Sequence, residues 1–166
     1  FLLKEGEDGA PVPIGPRDNL AKPAYDVRST LDSFDVLEEI VHELNGLGYD
    51  VYSFDHEDGN GQFEVDFMYT DGLTMADRFT FFRLLVHELA HRRGYFASFM
   101  PKPFADRAGN GAHYNMSLAD IKTGKNLFEA KRDPRGCGLS KLAYHFIGGV
   151  LKHVSAISAV VSPTVN

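Results

Sequence analysis

Phe54-Asp55-His56-Glu57-Asp58-Gly59-Asn60-Gly61-Gln62-Phe63-Glu64-Val65-Asp66-Phe67 has the layout of a β-hairpin. Two strand-like runs, Tyr49–Phe54 and Gln62–Tyr69, flank the acidic, glycine-containing turn Asp58-Gly59-Asn60-Gly61. Glu57 then ends one strand and Glu64 lies on the next. Two carboxylates facing each other across adjacent strands repel unless a positive group sits between them. A divalent metal is the usual remedy, and hard oxygen donors suit Mg2+ or Mn2+. A solvated hairpin tip explains the same residues equally well at this point.

Upstream, Val36, Ile40, Leu44 and Leu47 mark one stripe of a helix over about residues 32–47, ended by Gly46 and Gly48. A short apolar strand opens the chain. A Pro/Gly-rich loop runs from Gly6 to about Pro23, its polar groups expected to be solvated and without chemistry. Downstream, Met75, Phe79, Phe82, Val86 and Leu89 recur at helical spacing over about residues 74–93, with Thr74 and Asp77 resembling a capping box. Phe96–Met100 and His113–Leu118 read as strands, and a basic loop with Pro134 leads into a last helix over about residues 139–161. The elements do not alternate in a βαβ rhythm, so the predicted class is α+β: one mainly antiparallel sheet with helices packed on one side.

The chain has 166 residues, 43% hydrophobic and 24% charged, enough for a single core. A net charge of −6 without a basic run argues against nucleic acid or an anionic membrane surface as a partner. The one cysteine, Cys137, has no partner for an internal disulfide, which fits a reducing, cytoplasmic setting. Lys152 and His153 interrupt the longest apolar stretch, so no membrane span is expected.

His87-Glu88-Leu89-Ala90-His91 matches the H-E-x-x-H pattern, which on a helix presents two imidazoles to one zinc ion. Gly94 fits the longer version of that pattern, but its third histidine would fall at Ala97, and the next segment offers no acidic ligand on a helix. A zinc metallohydrolase is therefore the third-ranked reading. His87 and His91 are expected to lack a third ligand.

A second informative segment is Met100-Pro101-Lys102-Pro103-Phe104 followed by Ala108-Gly109-Asn110-Gly111-Ala112-His113-Tyr114-Asn115-Met116-Ser117-Leu118. Glycines 109 and 111 permit φ > 0 and a close ligand approach. His113, Asn115 and Ser117 share one strand face. Together with the hairpin, this segment resembles glutamine synthetase: the first matches its E…GQxE metal hairpin, the second its K-P…G-x-G-x-H-x-x-x-S nucleotide signature. Residues 76–103 and the tail from Leu139 to Ser162-Pro163-Thr164-Val165-Asn166 are similar to the same family. The wording Phe54-Asp55-His56-Glu57-Asp58 is nearest the branch with γ-glutamylmethylamide synthetases.

That resemblance implies a single partial catalytic domain over residues 1–166, of glutamine synthetase/guanido kinase-like fold. It implies an ATP-dependent ligase that joins ammonia or a small amine to the γ-carboxylate of glutamate through a γ-glutamyl phosphate. Glu57 and Glu64 would hold the metal at the reacting phosphoryl group, and His113 the metal on the ATP phosphates, all three converging on one cavity. Ala108 and Gly109 would meet the amino-acid substrate, and Tyr52, Asn115, Met116 and Ser117 the nucleotide. No residue in the chain takes a covalent catalytic role. Asn115 stands where the family commonly has His, Tyr52 where it is often acidic, and Ala108 where it frequently has Asn. The family's remaining ligands would lie outside Phe1–Asn166, so the chain alone is expected to be inactive and its parent to form a ring-shaped homo-oligomer. The alternative from a different class is a non-catalytic relative serving as a binding domain.

Overall fold

The computed structural model describes residues 1–162, which form two compact units, 1–111 and 112 onward. Of the tail quoted for its family likeness, residues 163–166 lie outside the described residues. The first unit runs β1 (Leu2–Glu5), β2 (Pro11–Pro13), α1 (Val27–Asp32), α2 (Phe34–Gly46), β3 (Val51–His56), β4 (Phe63–Phe67), α3 (Gly72–Arg92), β5 (Phe96–Ala97); the second carries α4 (Lys141–Val161).

The helices start and stop where local chemistry dictates. Asp26 caps α1, a short helix not expected from the sequence, by accepting from the Ser29 amide at 3.0 Å, and Ser33 separates it from α2, which matches the helix predicted over about residues 32–47. On α2 the side chains of Val36, Leu37, Ile40 and Leu44 are at most 2% exposed. Each such burial contributes about 1.5–3 kcal/mol. Leu47, expected on that stripe, is the C-cap and stays 53% exposed, because the chain leaves the helix there and Gly48 takes φ 76°. For α3 the cap is Asp71, which accepts from the Thr74 amide at 3.0 Å, rather than Thr74. Val86, Leu89 and Ala90 are buried and Phe82 packs beside them, so the predicted face of α3 does meet the core.

The sheet differs from expectation. β1 pairs antiparallel with β2 on one side and β5 on the other, while β3 and β4 form a separate antiparallel hairpin. Two sheets thus replace the predicted one, and the loop assigned to residues 6–23 contributes a strand. β5 is shorter than predicted: Phe96 and Ala97 pair with Leu3 and Leu2, and Ser98 just beyond exchanges two hydrogen bonds with the backbone of Phe1. His113–Leu118 is exposed and is not a strand: alternation alone does not make a ladder, and among the described residues the pairing beside it is limited to the isolated Ala119–Asn126 bridge. The fold remains α+β with antiparallel pairing throughout.

In the second unit, the carboxylate of Asp133 gathers the loop before α4. It accepts from the amides of Arg135, Cys137 and Leu139 at 3.0–3.1 Å and from the Tyr144 hydroxyl at 2.7 Å. The Tyr144 hydrogen bond, with those amides, holds this carboxyl down at about 2. Ser140 caps α4 through the Ala143 amide. Among the described residues, α4 is the one helix long and apolar enough to cross a membrane by length and composition. Lys152 and His153 therefore do not exclude a span, contrary to the expectation from the sequence.

Candidate active site

Register fixes what each face of the β3–β4 hairpin presents. Asp55 pairs with Glu64, His56 with Phe63, and the Glu57 amide donates to the Gln62 carbonyl at 2.9 Å. Side chains alternate along a strand, so Phe54, His56, Phe63 and Val65 share the inner face. Phe54, Phe63 and Val65 pack on the hydrophobic core there. Ser53, Asp55, Glu57, Gln62, Glu64 and Asp66 share the other. Glu57 and Glu64 are diagonal neighbours on it, typically about 7–8 Å apart. Gly61, at φ 76°, makes the turn, and a Cβ there would meet the Leu2 carbonyl oxygen at 2.9 Å. Tyr52 is the extra residue of a bulge between the Val51–Phe67 and Ser53–Asp66 pairs and is 66% exposed.

A buried ion pair holds this hairpin from beneath. His56 Nε2 lies 2.8 Å from Asp18 Oδ2, with both side chains at most 1% exposed. His56 Nδ1 lies 2.7 Å from the Glu57 carbonyl oxygen, which only accepts, so both ring nitrogens face acceptors and the imidazolium is the form that satisfies them. Burial works against charge on His56, but the hydrogen bonds to Asp18 and the Glu57 carbonyl outweigh it and raise its pKa. Burial likewise opposes ionisation of Asp18, yet hydrogen bonds from His56, Asn60 and the Gly61 amide leave its carboxyl below the usual range. Asp18 thus gathers three groups of the turn, and the loop assigned no chemistry supplies its central acceptor. No sequence pattern marks Asp18. His56 stood in the quoted stretch without a role.

Gln62 is 4% exposed and bridges two elements. Its Oε1 accepts from the Gly59 amide at 3.0 Å, and its Nε2 donates to the Gly109 carbonyl at 2.9 Å and to Asn110 Oδ1 at 3.2 Å. The Gly109 loop therefore lies over the face that carries Glu57 and Glu64. Asn110 closes this loop: its amide donates to the Pro101 carbonyl at 2.8 Å and its Nδ2 to the Met100 carbonyl at 2.8 Å. Gly109 does not adopt a left-handed φ. It is glycine because a Cβ would stand 2.6 Å from the Pro101 carbonyl oxygen, a packing reason rather than the conformational one expected. Ala108 is half-buried beside it. His113, Asn115, Met116 and Ser117 belong to the second unit, all exposed.

Among the described residues, no three His, Cys, Asp or Glu side chains come together to hold a metal. Glu57 and Glu64 nevertheless fit Mg2+, which is commonly held by one or two carboxylates with the remaining positions left to water and phosphate. His87, Glu88 and His91 line an open cavity of about 310 Å3 on the exposed flank of α3. Glu88 pairs instead with Arg92, Nε to Oε1 at 3.0 Å, and the His87 ring packs against Phe99 at 5.4 Å. After loading with zinc and dialysis into zinc-free buffer, elemental analysis is expected to find well under one Zn2+ per chain. Stoichiometric zinc lost in His87→Ala would reinstate the metallohydrolase.

Comparison with known proteins gives the class. The family model described as glutamine synthetase, catalytic domain, matches residues 1–166, and the chain belongs to that family. The match takes in α4, which is thus part of a catalytic domain. The chain is 47% identical over 166 residues to the glutamate–methylamine ligase of Methyloversatilis universalis, covering 100% of this chain and 37% of that protein. It is 42% identical over 149 residues to the glutamine synthetase of Rhizobium meliloti, covering 90% of this chain and 34% of that protein. A solved GmaS–ADP complex superposes with a TM-score of 0.89 at 44% identity, over 99% of this chain and 37% of that one. The chain therefore spans little more than a third of the relatives it matches, and the methylamide-branch likeness of Phe54–Asp58 agrees with them.

Proposed function

We propose that the protein containing this chain is an ATP-dependent ligase that joins ammonia or a small amine to the γ-carboxylate of glutamate. The observation that carries this reading is the shared open face of Glu57 and Glu64, with the Gly109 loop anchored over it by Gln62. In this reading Glu57 and Glu64 hold a Mg2+ or Mn2+ ion, which when bound supplies positive charge to offset that of a transferring phosphoryl group. The backbone at Gly109, with Ala108, orients glutamate. His113 serves a metal on the nucleotide phosphates, and Tyr52, Asn115, Met116 and Ser117 contact ATP. Such catalysis is positioning plus electrostatics, so no side chain in the chain acts as a nucleophile. A ring-shaped homo-oligomer in the cytoplasm goes with the proposal, and the free, exposed Cys137 is compatible with a reducing compartment.

The test is a coupled phosphate assay on the whole protein with Mg2+, ATP, glutamate and either ammonium or methylamine. Phosphate release that requires both glutamate and an amine is expected. ATP turnover indifferent to glutamate would overturn the ligase.

A further inference from the structure

We propose that Gln62 is a positioning residue that sets glutamate affinity by tying the carboxylate hairpin to the Gly109 loop, an assignment that rests on the functional reading above. Gln62 sits at the end of the same face as Glu57 and Glu64, so its main chain moves with the hairpin. Its carboxamide is buried and fully used: one acceptor on the turn amide of Gly59, two donors on Gly109 and Asn110. The loop is also held next to Gly109: a Cβ at that position would meet the Pro101 carbonyl oxygen at 2.6 Å, and Asn110 Nδ2 donates to the Ser98 and Met100 carbonyls. Two hydrogen bonds from Gln62, at 2.9 and 3.2 Å, join the hairpin to Gly109 and Asn110, and one longer bond from Arg107 Nη1 to the Asn60 carbonyl, at 3.4 Å, ties the same loop to the turn, so Gln62 is the side chain that acts on Gly109 itself. Asp18 and His56 act on the hairpin alone; Gln62 alone among these reaches the loop.

Gln62→Glu keeps the shape and the acceptor to Gly59 but removes both donors and sets a carboxylate against two oxygens. Gln62→Met adds no charge but loses the acceptor to Gly59 together with both donors. In the whole protein, the glutamate KM is expected to rise at least about tenfold in either variant, because small misplacements of an orienting group cost that much or more. The ATP KM should stay within about twofold, a split that mere loss of stability does not produce. Glutamate binding by calorimetry should weaken in parallel. A glutamate KM unchanged in a folded variant, or glutamate and ATP constants that rise together, would overturn the assignment. A parent protein without glutamate-dependent phosphate release fails the functional reading itself, and this assignment with it.

Discussion

Glu64→Ala is expected to abolish the glutamate- and amine-dependent phosphate release of the whole protein, while Glu88→Ala leaves it nearly intact. The two glutamates differ in setting rather than in chemistry. Glu64 stands opposite Asp55 and diagonal to Glu57, on the hairpin face whose Gln62 bonds the Gly109 carbonyl. Glu88 stands on the exposed flank of α3, engaged with Arg92 one turn away. Removing one group from a phosphoryl-transfer site costs several kcal/mol of transition-state stabilisation, a loss of about 100-fold to 1,000-fold for a single donor and more for groups acting as a unit. An i,i+4 surface pair contributes only about 0.3–0.5 kcal/mol. Wild-type activity in Glu64→Ala would sink the proposed mechanism; a matching loss in Glu88→Ala would return attention to the H-E-x-x-H flank.

Asp18→Ala should lower stability by about 3–5 kcal/mol, the usual cost of leaving a buried ionic partner uncompensated. The His56 imidazole, sealed at 0% side-chain exposure, would lose its counter-charge, and the Asn60 side chain and Gly61 amide would lose an acceptor in the same step. For a chain of this size the melting temperature should fall on the order of 10 °C. The replacement also leaves a small void, so Asp18→Asn makes the cleaner comparison. It preserves volume and one acceptor oxygen yet removes the charge, and should fall between the parent and Asp18→Ala. Thermal unfolding followed by circular dichroism measures all three. A melting temperature for Asp18→Ala within about 2 °C of the parent would show that the pair adds nothing to the fold.

Much of the local structure is legible in the sequence. The hairpin, α2 and α3 follow from period-2 and helical spacing and from the Asp58-Gly59-Asn60-Gly61 turn, all signals carried within about fifteen residues. The same signals misled at His113–Leu118, where alternation is real but no strand among the described residues pairs with it, and in joining two sheets into one. The cap of α3 was misplaced by one turn because Asp71 and Thr74 both belong to residue types that cap helices.

The sequence by itself determined the family likeness, the hairpin and its pair of glutamates, and the apolar faces that build the core. Only the tertiary structure decided that Asp18 enters the hairpin from 38 residues away and that Gln62 clasps a loop 47 residues further on. Polar residues in loops carry no period. Their partners are chosen when packing excludes water, and a buried donor or acceptor must take whatever the fold brings within 3 Å or so.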